Sequence, residues 1–160
     1  MNIDKAENIA NKYVELLKPF CKRIEIAGSI RRRKPEVKDI EIVCIRNTKY
    51  LAKFCDTVNS LRVLKGLPVG RYVKMSLEEG IALDLFMCFE INWGYIYAIR
   101  TGSADFSHLV LAASWVKQGF KGNDGNLWKD GKQIIIKEEA DLFRLCKLQY
   151  VEPEQREVKF

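Results

Sequence analysis

The stretch Asp39-Ile40-Glu41-Ile42-Val43-Cys44-Ile45 limits the possible folds more than any other part of the chain. Acidic and apolar residues alternate, then give way to an unbroken apolar run. An extended strand sends successive side chains to opposite faces, so Ile40 and Ile42 enter a core while Asp39 and Glu41 share the other face. Two carboxylates about 7 Å apart along one strand repel unless a cation lies between them, and a hard divalent ion takes oxygen ligands of this kind. For an isolated pair of acids, a solvated strand face is the commoner meaning.

A third acid sits in a similar frame. Asp84 interrupts Ile81-Ala82-Leu83-Asp84-Leu85-Phe86-Met87, where an unpaired carboxylate is costly to bury. It needs a metal, a structural arginine or hydrogen-bond donors, and a sheet shared with Asp39 and Glu41 favours the metal. Upstream, Gly28-Ser29-Ile30-Arg31-Arg32-Arg33 offers a backbone turn, a hydroxyl and guanidinium groups that can surround a phosphate. Taken alone, this string reads as a basic surface turn. The three signals together suit phosphoryl transfer assisted by two metal ions, which depends mostly on positioning and charge stabilisation.

The surrounding pattern is mixed. Ile9, Tyr13, Leu16 and Leu17 recur at helical spacing over residues 4 to 18, with Asp4 as N-cap and Pro19 as stop. Strands are expected at Arg23 to Ala27, Asp39 to Ile45, Arg62 to Leu67, Arg71 to Leu77 and Ile81 to Phe89, with a helix over 49–60. Beyond Asn92 the spacing predicts helices at Trp93 to Arg100 and Ser103 to Gly119, hinged at Thr101-Gly102. Short strands near Asn126 to Trp128 and Gln133 to Ile136 follow, around Asp124-Gly125 and Asp130-Gly131 turns, and then a helix from Glu138 to Leu148. The expected fold class is α+β: a mixed sheet flanked by helices in residues 1–91 and a small C-terminal α/β lobe in residues 92–160.

Composition narrows the class of partner. Lysine and arginine (27) outnumber aspartate and glutamate (21), and the net charge of +6 draws the chain toward polyanions. Five cysteines, an odd number without C-x-x-C pairing, read as reduced core thiols of a cytoplasmic protein. No apolar run approaches the ~18 residues that span a bilayer, so no membrane association is expected. His108 reads as solvated, and Trp93, Trp115 and Trp128 as core residues.

Gly28-Ser29-Ile30-Arg31-Arg32 is followed by Asp39-Ile40-Glu41, the first acid 11 residues after the glycine. Thr101-Gly102-Ser103 comes later, with Phe106 three residues beyond Ser103. The tail is Tyr150-Val151-Glu152-Pro153-Glu154-Gln155-Arg156. In this order the motifs resemble the DNA polymerase X family, the polymerase β-like branch of the nucleotidyltransferases. The resemblance implies a nucleotidyltransferase palm with a nucleotide-binding thumb or fingers-equivalent lobe. It implies a DNA-directed DNA polymerase that adds nucleotides to a primer 3′ end with pyrophosphate release, as in gap-filling repair. Asp39, Glu41 and Asp84 would be its catalytic metal ligands, holding two divalent cations, Mg2+ or Mn2+, with Asp84 nearest the primer hydroxyl. Gly28, Ser29 and Arg32 would meet the triphosphate, and Thr101, Gly102 and Ser103 the sugar. Ser107 would face the base or sugar, where the family usually carries asparagine. The implied partners are primer-template or gapped DNA and nucleoside triphosphates, with the chain acting as a monomer.

The chain departs from the family in several places. Glu41 replaces the usual second aspartate, Ala82 stands where an arginine often precedes the third acid, and Lys38 replaces a glycine. Ile99 and Arg100 occupy the place of a Tyr-Phe sugar gate, so weak discrimination against ribonucleotides is expected. No lyase or helix-hairpin-helix region fits before Gly28, so DNA grip is expected from Arg31, Arg33, Lys34, Lys117, Lys121 and Lys132. Two other readings stand beside the polymerase. One is a template-independent or small-substrate nucleotidyltransferase. The other is a non-catalytic nucleic-acid-binding module, against which the three acids argue because they would repel phosphate.

Overall fold

Helix α1 spans Ile3–Leu17 in the computed structural model, which describes residues 1–158. Asn2 rather than Asp4 caps it: the Asn2 side chain accepts a hydrogen bond from the Lys5 N–H at 2.9 Å, satisfying one of the amides a helix start leaves open. Ala6, Ile9, Ala10, Tyr13 and Leu17 make the buried stripe. Leu16, which the spacing groups with them, lies off it and is 42% exposed.

Five strands follow: β1 (Cys21–Ile26), β2 (Asp39–Arg46), β3 (Arg62–Gly66), β4 (Tyr72–Ser76) and β5 (Ala82–Cys88). They form one mixed sheet in the order β1-β2-β5-β4-β3, with β2 and β5 parallel and the other neighbours antiparallel. A parallel pair needs a long crossover, supplied here by α3 (Leu51–Asn59) and the β3–β4 hairpin. The apolar run in β2 accounts for its interior place, and Ile40, Ile42, Val43 and Cys44 are fully buried. The core joins α1 and α3 to one sheet face through Ile40, Ile42, Val73, Met75, Leu83 and Leu85. Between β1 and β2, Gly28–Arg31 forms a short helix, α2, where the sequence suggested only a turn.

The chain divides into two compact units, Met1–Cys88 and a second from Phe89 onward. The second unit begins with α4 (Trp93–Thr101). The continuous helix expected over Ser103 to Gly119 is present from Ala104 to Lys117, but its middle, Phe106–Ala112, widens into a π-helical segment before α5 (Ala113–Lys117). Ser107 ties this wider coil to the end of α4, its hydroxyl donating to the Ile99 carbonyl at 2.8 Å. A three-stranded antiparallel sheet, β6 (Lys121–Asn123), β7 (Asn126–Lys129) and β8 (Lys132–Ile134), follows. Its two hairpins turn at Asp124-Gly125 and Asp130-Gly131, all four residues at positive φ, as two-residue hairpin turns of that type require. Polar β6 had no alternation to announce it. Helix α6 (Glu139–Leu145) stops three residues earlier than expected, where Lys147 adopts φ 56°. Among the described residues no helix is long and apolar enough to cross a membrane. All five cysteines are free, and Cys44, Cys88 and Cys146 are buried.

Candidate active site

Alternation along β2 leaves Asp39 and Glu41 on the sheet face away from Ile40 and Ile42, and the parallel partner β5 adds the third acid. Glu41 pairs in register with Asp84, and Asp39 with Ala82. Paired residues on neighbouring strands point to the same side. All three acids therefore share one face of two adjacent strands, with Asp39 exposed, Glu41 half-buried and Asp84 9% exposed. The donor set is all carboxylate oxygen, which suits magnesium or manganese. With the side chains as they lie, no three acidic, cysteine or histidine groups among the described residues close into a ready metal cluster.

Asp84 is held by a neighbour that the sequence did not single out. The Tyr72 hydroxyl, on β4, donates to Asp84 Oδ1 at 2.5 Å. The Tyr72 ring lies 5.1 Å from that of Phe86, which is also in β5. A carboxylate this buried requires such a donor, and Tyr72 fixes its orientation.

The Gly28 turn is fastened to the same strand. The Ala27 N–H donates to the Glu41 carbonyl at 2.8 Å, which sets Gly28 against the Glu41 side chain. Gly28 adopts φ +61°, and a Cβ there would lie 2.1 Å from Glu41 Oε2 and 3.0 Å from Glu41 Cβ. The position therefore needs glycine twice, for its left-handed backbone and for the space the glutamate occupies. Ser29 follows on the same turn, and the Arg32 N–H donates to the Gly28 carbonyl at 3.0 Å. Gly28, Ser29, Arg32 and Glu41 are thus local neighbours. Arg33, one of the expected DNA contacts, pairs with Glu7 at 2.7 Å.

In the second unit, Thr101 ends α4 fully buried and Gly102 forms the cap. A Cβ on Gly102 would meet Phe106 Cδ1 at 2.8 Å and Ser107 Oγ at 3.1 Å. Ser103 Oγ accepts from the Phe106 N–H at 3.1 Å, and the Ser103 N–H donates to the Arg156 carbonyl at 3.0 Å. Arg156 is the anchor of this turn. Its guanidinium is fully buried, ion-paired with Glu139, bonded through Nε to the Val151 carbonyl at 2.8 Å, and stacked near Phe143 and Tyr150. The tail motif is thereby explained as a support for Thr101-Gly102-Ser103. His108 is exposed, Trp93 and Trp115 are buried, and Trp128 is partly so.

The missed residues are Tyr72 and Glu139, the buried partner of the tail residue Arg156. A tyrosine in a strand reads as ordinary packing, and Glu139 gives no sign in the sequence of its distant partner.

A family model described as DNA polymerase beta thumb matches residues 97–157, a span wholly inside the second unit. No curated protein matches the chain. Among solved structures it is similar to the crystal structure of Leishmania infantum polymerase beta in a ternary gap complex. The TM-score is 0.77 and the identity 15%, over 98% of this chain and 70% of that one.

Proposed function

We propose that this chain, a relative of the DNA polymerase X family with a polymerase β-like fold, is a DNA-directed DNA polymerase that extends a primer 3′ end in gapped DNA. The observation that carries the proposal is the placement of Asp39, Glu41 and Asp84 on one face of β2 and β5, beside the Gly28 turn. A family relative that only bound DNA would gain nothing from three carboxylates on one face, since they repel phosphate.

Two divalent cations, when bound to these acids, would supply charge stabilisation for the attacking hydroxyl and for the departing pyrophosphate. Everything else falls to the chain. Tyr72 keeps Asp84 oriented where the primer hydroxyl would approach. Gly28 brings backbone close to a triphosphate, and Ser29 and Arg32 contact its oxygens. Thr101, Gly102 and Ser103, stiffened by Arg156, contact the sugar. Ser107 donates its hydroxyl proton to the Ile99 carbonyl, which leaves the oxygen to accept a hydrogen bond from the sugar or base.

The test is extension of a primer across a short gap with magnesium or manganese, wild type against Asp39→Ala. Extension by wild type alone supports the reading; equal activity, or none in either, defeats it. Omitting the template separates a template-directed polymerase from a terminal transferase. Comparing deoxy- and ribonucleotides tests the Ile99-Arg100 departure, with a weak preference expected and a several-thousandfold one excluding it.

A further inference from the structure

Register carries a charge pattern across the sheet face that bears the acids. One row of paired residues runs Glu41 on β2, Asp84 on β5, Lys74 on β4 and Lys65 on β3. The row beside it runs Asp39, Ala82, Ser76 and Arg62. Each begins with acid on the β2 side and ends with cation at the β3 edge. Val73 and Met75 point into the core, which commits Tyr72, Lys74 and Ser76 to the same face as Asp84. A bulge at Leu64 sets Lys65 directly opposite Lys74. Strands lie about 4.8 Å apart, so the row from Glu41 to Lys65 covers about 14 Å.

Only Asp84, the register partner of Lys74, offsets the cationic half. Neither β3 nor β4 contains an acid, and none of Arg62, Lys65 and Lys74 enters an ion pair with the described residues. Like charges directly opposite one another on a sheet are destabilising. A facing chain of negative charges relieves that repulsion. Ala82, small, uncharged and half-buried, stands between Asp39 and Ser76 in the second row.

We propose that Arg62, Lys65 and Lys74 bind the phosphodiester backbone of the strand whose 3′ end is presented to Asp84, an assignment that rests on the polymerase reading. Lys74, one strand from Asp84, takes the 3′-terminal phosphodiester. Lys65 and Arg62 take the next phosphates toward the sheet edge. This surface differs from the cations picked out along the sequence, because only strand pairing assembles it.

The experiment measures binding of the full chain to a fluorescent primer-template with a 3′-dideoxy primer, in magnesium, by anisotropy across a salt series. Each phosphate contact contributes about 0.9 to the slope of log affinity against log salt. The slope is expected to fall by about 1 in Lys74→Ala and by about 2 to 3 in the Arg62→Ala, Lys65→Ala, Lys74→Ala triple variant. It should stay unchanged in Lys53→Ala on α3 and in Lys74→Arg. A primer with an uncharged methylphosphonate at its 3′-terminal linkage serves as a second arm that needs no multiple variant. It should weaken wild-type binding severalfold and leave Lys74→Ala binding unaltered. An unchanged slope in a folded triple variant overturns the proposal. So does an equal methylphosphonate penalty in wild type and Lys74→Ala, or equal displacement of the DNA by poly-glutamate of matched charge. Wild-type primer extension, run alongside, keeps the two claims apart: an active enzyme with unchanged slopes loses only this surface, whereas an inactive one with the expected slopes loses only the polymerase reading.

Discussion

Replacing Gly28 with alanine asks two things of the fold, and a second glycine lets them be measured separately. At φ +61° an L-residue costs about 1–2 kcal/mol. The added methyl would also sit 2.1 Å from Glu41 Oε2, 2.8 Å from its Cδ and 3.0 Å from its Cβ. Rotating the glutamate removes the first two clashes. The third involves the root of the side chain, so the β2 backbone or the α2 turn must shift, an overpacking cost of about 1–3 kcal/mol. Gly28→Ala should therefore lose about 2–5 kcal/mol in urea unfolding. Gly80 has φ +86° and nothing within 4 Å of its would-be Cβ, so Gly80→Ala should show only the backbone cost of about 1–2 kcal/mol. If the unfolding is cooperative, the difference between the variants isolates the glutamate contact. Moving Glu41 by an ångström should also lower primer extension on the order of 100-fold, while Gly80→Ala extends normally. Equal unfolding losses in the two variants would refute the argument that Gly28 is reserved for Glu41, and unaltered extension in Gly28→Ala would refute its link to the site.

Tyr72→Phe removes the donor to Asp84 and keeps the ring; extension should slow, with kcat falling more than nucleotide KM rises, and stability should drop by about 1.5–3 kcal/mol for a hydrogen bond to a charged group. An unchanged kcat would show that Tyr72 does not position the acid. Arg156→Met leaves Glu139 buried without its cation and should cost about 3–5 kcal/mol, whereas Glu139→Gln combined with Arg156→Met should cost less than the sum of the two single changes. Strict additivity would mean that the pair is not coupled. Burial, reinforced by its hydrogen bond to Glu79 at 2.6 Å, pushes the Tyr13 hydroxyl up to about 12. Its folded value lies above the unfolded one, near 10, so the stability it adds is complete below pH ~10 and drains away as pH rises through about 12. Tyr13→Phe should flatten that alkaline decline, and a phenolate absorbance titration that finds every tyrosine ionising near 10 would contradict the assignment.

The features legible along the chain were those that depend on near neighbours. Period-two alternation placed Asp39 and Glu41 together on one face, the Asp-Gly pairs marked both hairpins of the second unit, and Gly28 announced a sharp turn. Local rules failed where neighbouring residues offered near-equal alternatives or where a contact outside the segment decided. Asn2 took the cap from Asp4 because the helix begins at Ile3, which puts Asn2 at the position whose side chain accepts from the Lys5 amide and leaves Asp4 inside the first turn. The helix expected from Ser103 onward opened into a π-helical coil bonded back to Ile99. Lys147 ended α6 through a left-handed backbone that no neighbouring residue signals.

Alternation within one segment was enough to put Asp39 and Glu41 on the same face of a strand, because the side-chain period of two is a local property. Tertiary structure decided that Glu41 stands beside Asp84, that Tyr72 holds Asp84, that Lys74 and Lys65 extend the same row, and that Arg156 braces the Ser103 turn. Those relations join residues distant in sequence. They are set by strand register and by the packing of a shared core, where a slip of one residue would turn every side chain to the opposite face.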